Sequence, residues 1–229
     1  MAYFDCAGAR LHYEIFGCGD ENARLILLLH GCGEDMHVFD AAVSSMLNTH
    51  RFIAIDSRAH GESTGEVQGY KRMAEDTAAL LEHLGIEKVD CVGFSDGAII
   101  AMLMASERDC FDRLMLIGAN THPSGLKFSE RIEMRRQRKA ALRTGDKRWA
   151  SLFDMMLTEP DITADSLGRI NARVTAVVGS RDMIKKSHTL RLCRAIKGCE
   201  LEVLKGEGHM IPQEAPEKLA MLMQRKFVR

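Results

Sequence analysis

Five consecutive aliphatic side chains, Leu25 to Leu29, stand in the run RLILLLHG with no polar residue among them. A strand with one face in water alternates apolar and polar residues, so an unbroken aliphatic run of strand length asks for cover on both faces. Helices on both sides of a parallel sheet supply that cover. Runs of similar length recur as RFIAIDS, KVDCVGF, DRLMLIGA, VTAVVGS and ELEVLKG. Helical stretches separate them, near residues 36–48, 70–84 and 186–197, in AIIAMLMAS, and in a closing helix from Glu217 that Pro216 opens. A first-turn proline gives up no helical hydrogen bond. The helix before Gly85 puts Met73, Thr77, Leu80 or Leu81, and Leu84 on one face, with Glu75 and Asp76 early, where acids complement the helix dipole.

At the N-terminus, LHYEIFG alternates Leu11, Tyr13 and Ile15 with His12 and Glu14, which with YFDC before it predicts an antiparallel hairpin. The whole pattern predicts an α/β fold: a doubly wound, mostly parallel eight-stranded sheet with right-handed crossovers. Its rhythm breaks once, between Ala119 and Val174. The expected organisation is core over 1–119, a short helical cap over 120–171 inserted after the sixth strand, and the rest of the core over 172–229.

Composition bears on function. A formal net charge of −1, with no basic-plus-aromatic segment, speaks against nucleic acid as a partner. MAYFDCAGAR has no basic segment followed by an apolar stretch, and the apolar run AIIAMLMA is too short for a bilayer, so no membrane partner and a cytoplasmic location are expected. The seven cysteines are scattered, without a C-x-x-C pair, and read as reduced thiols. The nine histidines include no H-E-x-x-H and no cluster of zinc spacing, so neither a metal nor a cofactor is expected. Nothing in the sequence fixes an oligomeric state.

In doubly wound sheets ligands bind beyond the carboxyl ends of the strands. Polar stretches fall there: HGCGED (30–35), DSRAHGES (56–63), GFSDG (93–97), GSRD (179–182) and GEGH (206–209). Ser95, between Gly93 and Gly97, reads either as a helix N-cap or as the nucleophile of a tight strand-to-helix elbow, G-x-S-x-G. His209 alone could be a surface loop residue, and Asp182 alone a helix cap. Together at one rim, a serine, a histidine and an acid are what acyl transfer uses: a hydroxyl that attacks, a base that takes its proton, and a carboxylate that orients the base.

At this point the chain resembles the α/β-hydrolase fold superfamily along essentially its whole length. LLLHG is similar to that family's oxyanion strand and loop, DSRAHGES to its D-x-R-G-H-G-x-S loop, and GFSDG to its elbow. VVGSRD is similar to its acid turn and GEGHMIPQEAPE to its histidine loop and last helix. The order Ser95, Asp182, His209 is the family's order. Ala59 departs from the usual glycine, and Asn120, where some members place the acid, is no carboxylate. The resemblance implies a serine hydrolase of carboxylesterase or thioesterase type that acts on a small acyl substrate through an acyl-enzyme. Ser95, His209 and Asp182 would be catalytic, and the backbone N–H groups of Cys32 and Asp96 would form the oxyanion hole. The Cys32 side chain has no base placed for it and reads as a small buried thiol. Epoxide hydrolases and dehalogenases of this fold attack with a carboxylate where Ser95 stands, which sets those reactions aside.

Weaker candidates for substrate contact are Glu34 at the mouth and Trp149 and Phe153 in the cap. Arg58, His60 and Glu62 are expected to hold the shape of their loop. Residues 127–148 carry nine basic side chains against three acidic ones, so the cap is either a solvated helix face or a lid that attracts an anionic acyl substrate. Two further readings stay open. One is a ligand-binding or sensor protein on the same fold with little turnover; the other keeps the three residues for carbon–carbon bond hydrolysis or acyl transfer. HGCGEDM also imitates a dinucleotide fingerprint, but Met36 occupies the third glycine position, where close helix–strand packing is required.

Overall fold

In the computed structural model, which describes residues 2–227, the alternating N-terminal stretch forms a hairpin of β1 (Ala2–Cys6) and β2 (Ala9–Gly17). The aliphatic run is β3 (Leu25–Leu29). It is followed by β4 (Arg51–Ile55), β5 (Val89–Phe94), β6 (Phe111–Ile117), β7 (Arg173–Gly179) and β8 (Glu200–Leu204). The eight strands lie in the order β1-β2-β4-β3-β5-β6-β7-β8, and every neighbouring pair from β4 to β8 is parallel.

The unbroken run of β3 is explained by the two layers it feeds. Leu27 and Leu29 sit in one apolar cluster, Ile26 and Leu28 in the other, and none of these four is more than 1 % exposed. The larger cluster is built with α2 (Tyr70–His83) and α3 (Asp96–Glu107). The smaller one uses the segment around α1 (Asp40–Val43) and the C-terminal helix.

The helix expected near 36–48 is broken into a 3₁₀ turn at Met36–Phe39, α1, and a second 3₁₀ turn at Ser44–Met46. Its buried residues Met36, Phe39, Val43 and Met46 keep the three-and-four spacing of an α-helical face, but the first turn closes bonds to the third residue back, Val38 N–H to Asp35 O and Asp40 N–H to His37 O, the tighter 3₁₀ pattern.

Residues 120–171 hold α4 (Phe128–Thr144), α5 (Lys147–Thr158) and α6 (Ala164–Gly168). The first two form a packed pair, turned at Gly145, whose left-handed φ of 76° ends α4, and at Asp146, whose side chain caps α5. α6 packs instead on α3 and on α7 (Lys186–Ala195), and its Leu167 belongs to the larger core. The chain closes with α8 (Ile211–Glu214) and α9 (Pro216–Lys226). No helix among the described residues is long and apolar enough to cross a membrane.

The chain leaves β3 toward β4 on one side and returns to β5 on the other. That reversal opens a crevice beyond the carboxyl ends of β3 and β5, where such sheets take their ligands. The loop His30–Asp35 and the Ser95 turn stand side by side there.

Candidate active site

Ser95 follows β5 directly and occupies the N-cap position of α3, yet its side chain makes no capping hydrogen bond. Its φ of 51° and ψ of −111° are strained for a residue with a Cβ. The flanking glycines make the turn possible: a Cβ on Gly97 would lie 2.0 Å from Leu29 O, and one on Gly93 would lie 2.5 Å from Gly97 O. Ser95 N–H donates to Ile117 O at 2.8 Å, which pins the turn to β6. The hydroxyl is thereby presented to His209, with Ser95 Oγ 3.0 Å from His209 Nε2. The elbow reading of this serine fits the geometry and the capping reading does not.

His209 comes from the loop after β8, and Asp182 from the turn after β7. A Cβ on Gly179 would meet Gly208 O at 2.0 Å, so the two loops press together. Asp182 is 2 % exposed, and its Oδ1 accepts from Ile184 N–H at 2.9 Å and from His209 Nδ1 at 2.8 Å. A carboxylate only accepts, so the imidazole proton sits on Nδ1 and the Nε2 lone pair faces the serine. This arrangement can take a proton from the hydroxyl as the oxygen attacks, and the acid stabilises the imidazolium that results.

Of the other expected site residues, Cys32, Glu34, Trp149 and Phe153 line one cavity of about 560 Å³ together with Ser95 and His209. Trp149 and Phe153 stack with ring centroids 5.3 Å apart. Trp149 lies over Gly33, where a Cβ would come within 2.3 Å of the indole. α4 contributes Met134, Gln137, Ala140, Ala141 and Thr144 to the wall, and among the described residues none of the basic side chains of 127–148 lines it. Arg148 instead donates to Ala59 O, and Arg138 pairs with Asp154.

Burial pushes the Cys32 thiol well up from its ordinary value, with the neighbouring Asp96 charge adding to the effect. That is the opposite of an activated thiolate. Burial also pushes Asp96 up to about 6, although the hydrogen bond from Tyr70 restrains it. Glu34 rises to about 7 by burial, against the pull of its Gly31 hydrogen bond and of His209. Its two oxygens accept from Gly31 N–H at 3.0 Å and from Gln213 Nε2 at 3.2 Å, tying the loop after β3 to α8.

An acid whose folded value lies above its unfolded 4.5 contributes stability below that value and loses it as pH climbs through about 7. Glu34→Gln keeps an acceptor for Gly31. It is therefore expected to raise Tm over wild type at about pH 8, by about 2 °C after allowance for partial exposure, with no gain at about pH 5. The same Tm difference at both pH values would rule out titration of Glu34 as the cause.

The loop 56–63 behaves as scaffold. Asp56 accepts from Met36 N–H, Glu62 N–H and His12 Nδ1, while Arg58 is held by Asp76 at 2.7 and 2.9 Å. His60 bonds Arg58 O, and Glu62 accepts from Tyr3 Oη. Ala59 adopts a φ of 63°, the left-handed conformation that glycine takes without strain. Gly118 and Tyr70 are two site residues that sequence reasoning missed. Gly118 has a φ of 61°, and a Cβ there would lie 2.6 Å from His209 Cε1; Tyr70 Oη donates to Asp96 at 2.8 Å. A glycine immediately after the apolar run of β6 was the available signal for the first, and a tyrosine opening an amphipathic helix carried none for the second.

A family model described as alpha/beta hydrolase fold matches residues 24–152. Among curated proteins, the putative carbamate hydrolase RutD of Agrobacterium fabrum is 31% identical over 132 residues, covering 54% of this chain and 50% of that protein. The soluble epoxide hydrolase of a Corynebacterium species is 30% identical over 113 residues, covering 48% and 38%. The chain thus spans half or less of the length of these relatives. Among solved structures, an alpha/beta hydrolase enzyme from a Medee basin deep-sea metagenome library superposes with a TM-score of 0.86 at 19% identity, covering 99% of this chain and 97% of that one. The enol-lactonase from Burkholderia xenovorans superposes with a TM-score of 0.83 at 18% identity, covering 100% of both chains. With its eight-stranded sheet and a family match over more than half its length, the chain belongs to the alpha/beta hydrolase fold family.

Proposed function

We propose that this hydrolase-family chain is a serine hydrolase of carboxylesterase or thioesterase type. The reading rests on one observation: Ser95 Oγ, His209 and Asp182 form a hydrogen-bonded series at 3.0 and 2.8 Å that opens into the cavity under α4 and α5. In this reading Ser95 attacks the acyl carbon as His209 Nε2 takes its proton. The tetrahedral oxyanion lies against the N–H groups of Cys32 and Asp96; the latter is a first-turn amide that no helical carbonyl reaches. His209 then protonates the leaving alcohol or thiol, and a water deprotonated by the same nitrogen releases the acid. Trp149, Phe153, Met134 and Met156 suit an uncharged acyl group of small to medium size, since they offer carbon and sulfur surface. The cations of 127–148 would meet an anion before it reaches that seat, as a steering field.

A panel of acyl esters, thioesters and lactones, run with wild type and Ser95→Ala, tests the reading. Wild type is expected to turn over members of the panel and to be labelled by a fluorophosphonate at Ser95, while the alanine variant does neither. Folded wild type that shows neither turnover nor label would leave the ligand-binding alternative standing. Product analysis separates hydrolysis from acyl transfer and from carbon–carbon cleavage. Steering by the cap is tested by the salt response of matched anionic and neutral esters, which is expected to differ; identical responses would remove it.

A further inference from the structure

Asp96 offers its N–H to the proposed oxyanion, but acyl transfer makes no use of its carboxyl. An acid in the first turn of a helix ordinarily complements the dipole while facing water. Here the residue is 5 % exposed; Tyr70 Oη donates to Oδ1 at 2.8 Å, and Oδ2 has no hydrogen-bond partner. Burial holds the group at about 6, so the carboxylate predominates at about pH 7. A buried anionic oxygen without a donor costs free energy that the N–H or O–H of a ligand would recover.

Asp96 borders a recess of about 20 Å³, together with Tyr70, Ser95, Asn120, Glu159 and His209. A water-sized group needs about 10–15 Å³, so the recess takes one hydroxyl or one ammonium and nothing longer. Its polar side chains have their donors committed elsewhere. The Tyr70 hydroxyl is spent on Asp96, the Ser95 hydroxyl on His209, and the Asn120 amide donor on His122 O at 3.2 Å. Glu159 adds a second acid, one oxygen of which accepts from Tyr70 N–H at 3.0 Å. No lysine or arginine among the described residues lines the recess. Two carboxyl groups without a cation favour a donor that is itself positively charged. Ser95, His209, Met134, Met156 and Met183 line both this recess and the larger cavity, so a substrate seated on the apolar wall can extend one group past the nucleophile. Resting on the acyl-transfer reading above, we propose that the recess is an ammonium subsite, in which Asp96 Oδ2 and Glu159 receive the protonated amine of an amino-acyl substrate beside the carbonyl that Ser95 attacks. So small a recess, bordered by Ser95 and Asp96 alike, puts that amine on the carbon next to the carbonyl or on the one after it.

The ethyl esters of alanine, lactate and propanoate differ only at the α carbon, which carries an ammonium, a hydroxyl or a hydrogen. At about pH 7 the α-amine is mostly protonated. The readout is the ratio of kcat/KM for each substituted ester to that for the propanoate ester, in which any loss common to both cancels. Asp96→Asn keeps the backbone N–H and an acceptor for Tyr70, and turns an amide nitrogen toward the recess. It is expected to lower the alanine ratio about 10- to 100-fold from wild type, and the lactate ratio by less than about fivefold. Glu159→Gln, which also keeps an acceptor for Tyr70 N–H, is expected to lower the alanine ratio by about threefold or more. The subsite is overturned if Asp96→Asn leaves the alanine ratio within about twofold, the result for a recess that holds only water, or if the lactate ratio falls as far as the alanine ratio. If Asp96→Asn does not fold, Glu159→Gln decides alone, and an alanine ratio within about twofold of wild type is then the overturning result. Fluorophosphonate labelling of wild-type Ser95 separates the two readings. Unlabelled, inactive wild type overturns acyl transfer and the subsite with it. Labelled, active wild type overturns the subsite only, if it turns over the propanoate ester but not the alanine ester or if its variants leave the ratios unchanged.

Discussion

Asp182→Ala is expected to lower kcat by on the order of 10⁴, and Asp182→Asn by roughly ten- to a hundredfold less. The alanine variant removes both the acceptor that fixes the His209 proton on Nδ1 and the charge that stabilises the imidazolium. Asparagine removes the charge, and its effect on the tautomer depends on which way the amide turns. Asp182 Oδ1 accepts from Ile184 N–H at 2.9 Å as well as from His209 at 2.8 Å. An amide nitrogen placed there would face the Ile184 donor with a second donor. The amide oxygen therefore keeps that position and keeps the useful tautomer. Steady-state kinetics of the two variants, with Tm as the control for folding, checks the ranking. Equal losses would show that the Ile184 anchor does not orient the amide. A loss below about tenfold in the alanine variant would remove Asp182 from the proposed chemistry.

The contrast between what the sequence disclosed and what it hid follows from the range of the interactions involved. The aliphatic run of β3 and the alternation of strand and helix are local patterns, and they carried the sheet and its winding. Ser95, Asp182 and His209 were legible because each sits at a strand end in a turn with its own local signature, flanked by glycines that the close approaches require. The break of the 36–48 segment into 3₁₀ and α turns leaves no mark in its apolar spacing, because buried residues at 36, 39, 43 and 46 suit an unbroken α-helix equally well. Tyr70 and Asp96 lie twenty-six positions apart and meet only because α2 packs against α3, so their pairing left no local trace. The cap's excess of basic residues was plain in the sequence; that its cavity wall is instead Met134, Ala140 and Ala141 depends on how α4 is rotated over the sheet.

Gly118→Ala is expected to cut kcat/KM by about 10² or more while the protein still folds. Gly118 directly follows β6 with a φ of 61°, where its N–H donates to Val177 O at 2.9 Å and fixes the backbone in place. An alanine there costs about 1–2 kcal/mol in backbone strain, a loss that a domain stable by about 5–15 kcal/mol survives. The larger consequence is steric. The new methyl would stand 2.6 Å from His209 Cε1 and 2.9 Å from Nδ1, so the ring has to move. The ring is held by Asp182 on one side and by Ser95 on the other, with Phe94 packed at 5.2 Å, so any displacement lengthens the bond to the acid or the bond to the serine. Gly85→Ala is the matching control: its φ of 67° brings the same strain, but nothing lies within 4 Å of the added methyl. The two variants are expected to lose comparable Tm, with activity lost only at Gly118. If Gly118→Ala keeps kcat/KM within about threefold of wild type, or if Gly85→Ala loses as much, the position of His209 is not what limits the rate.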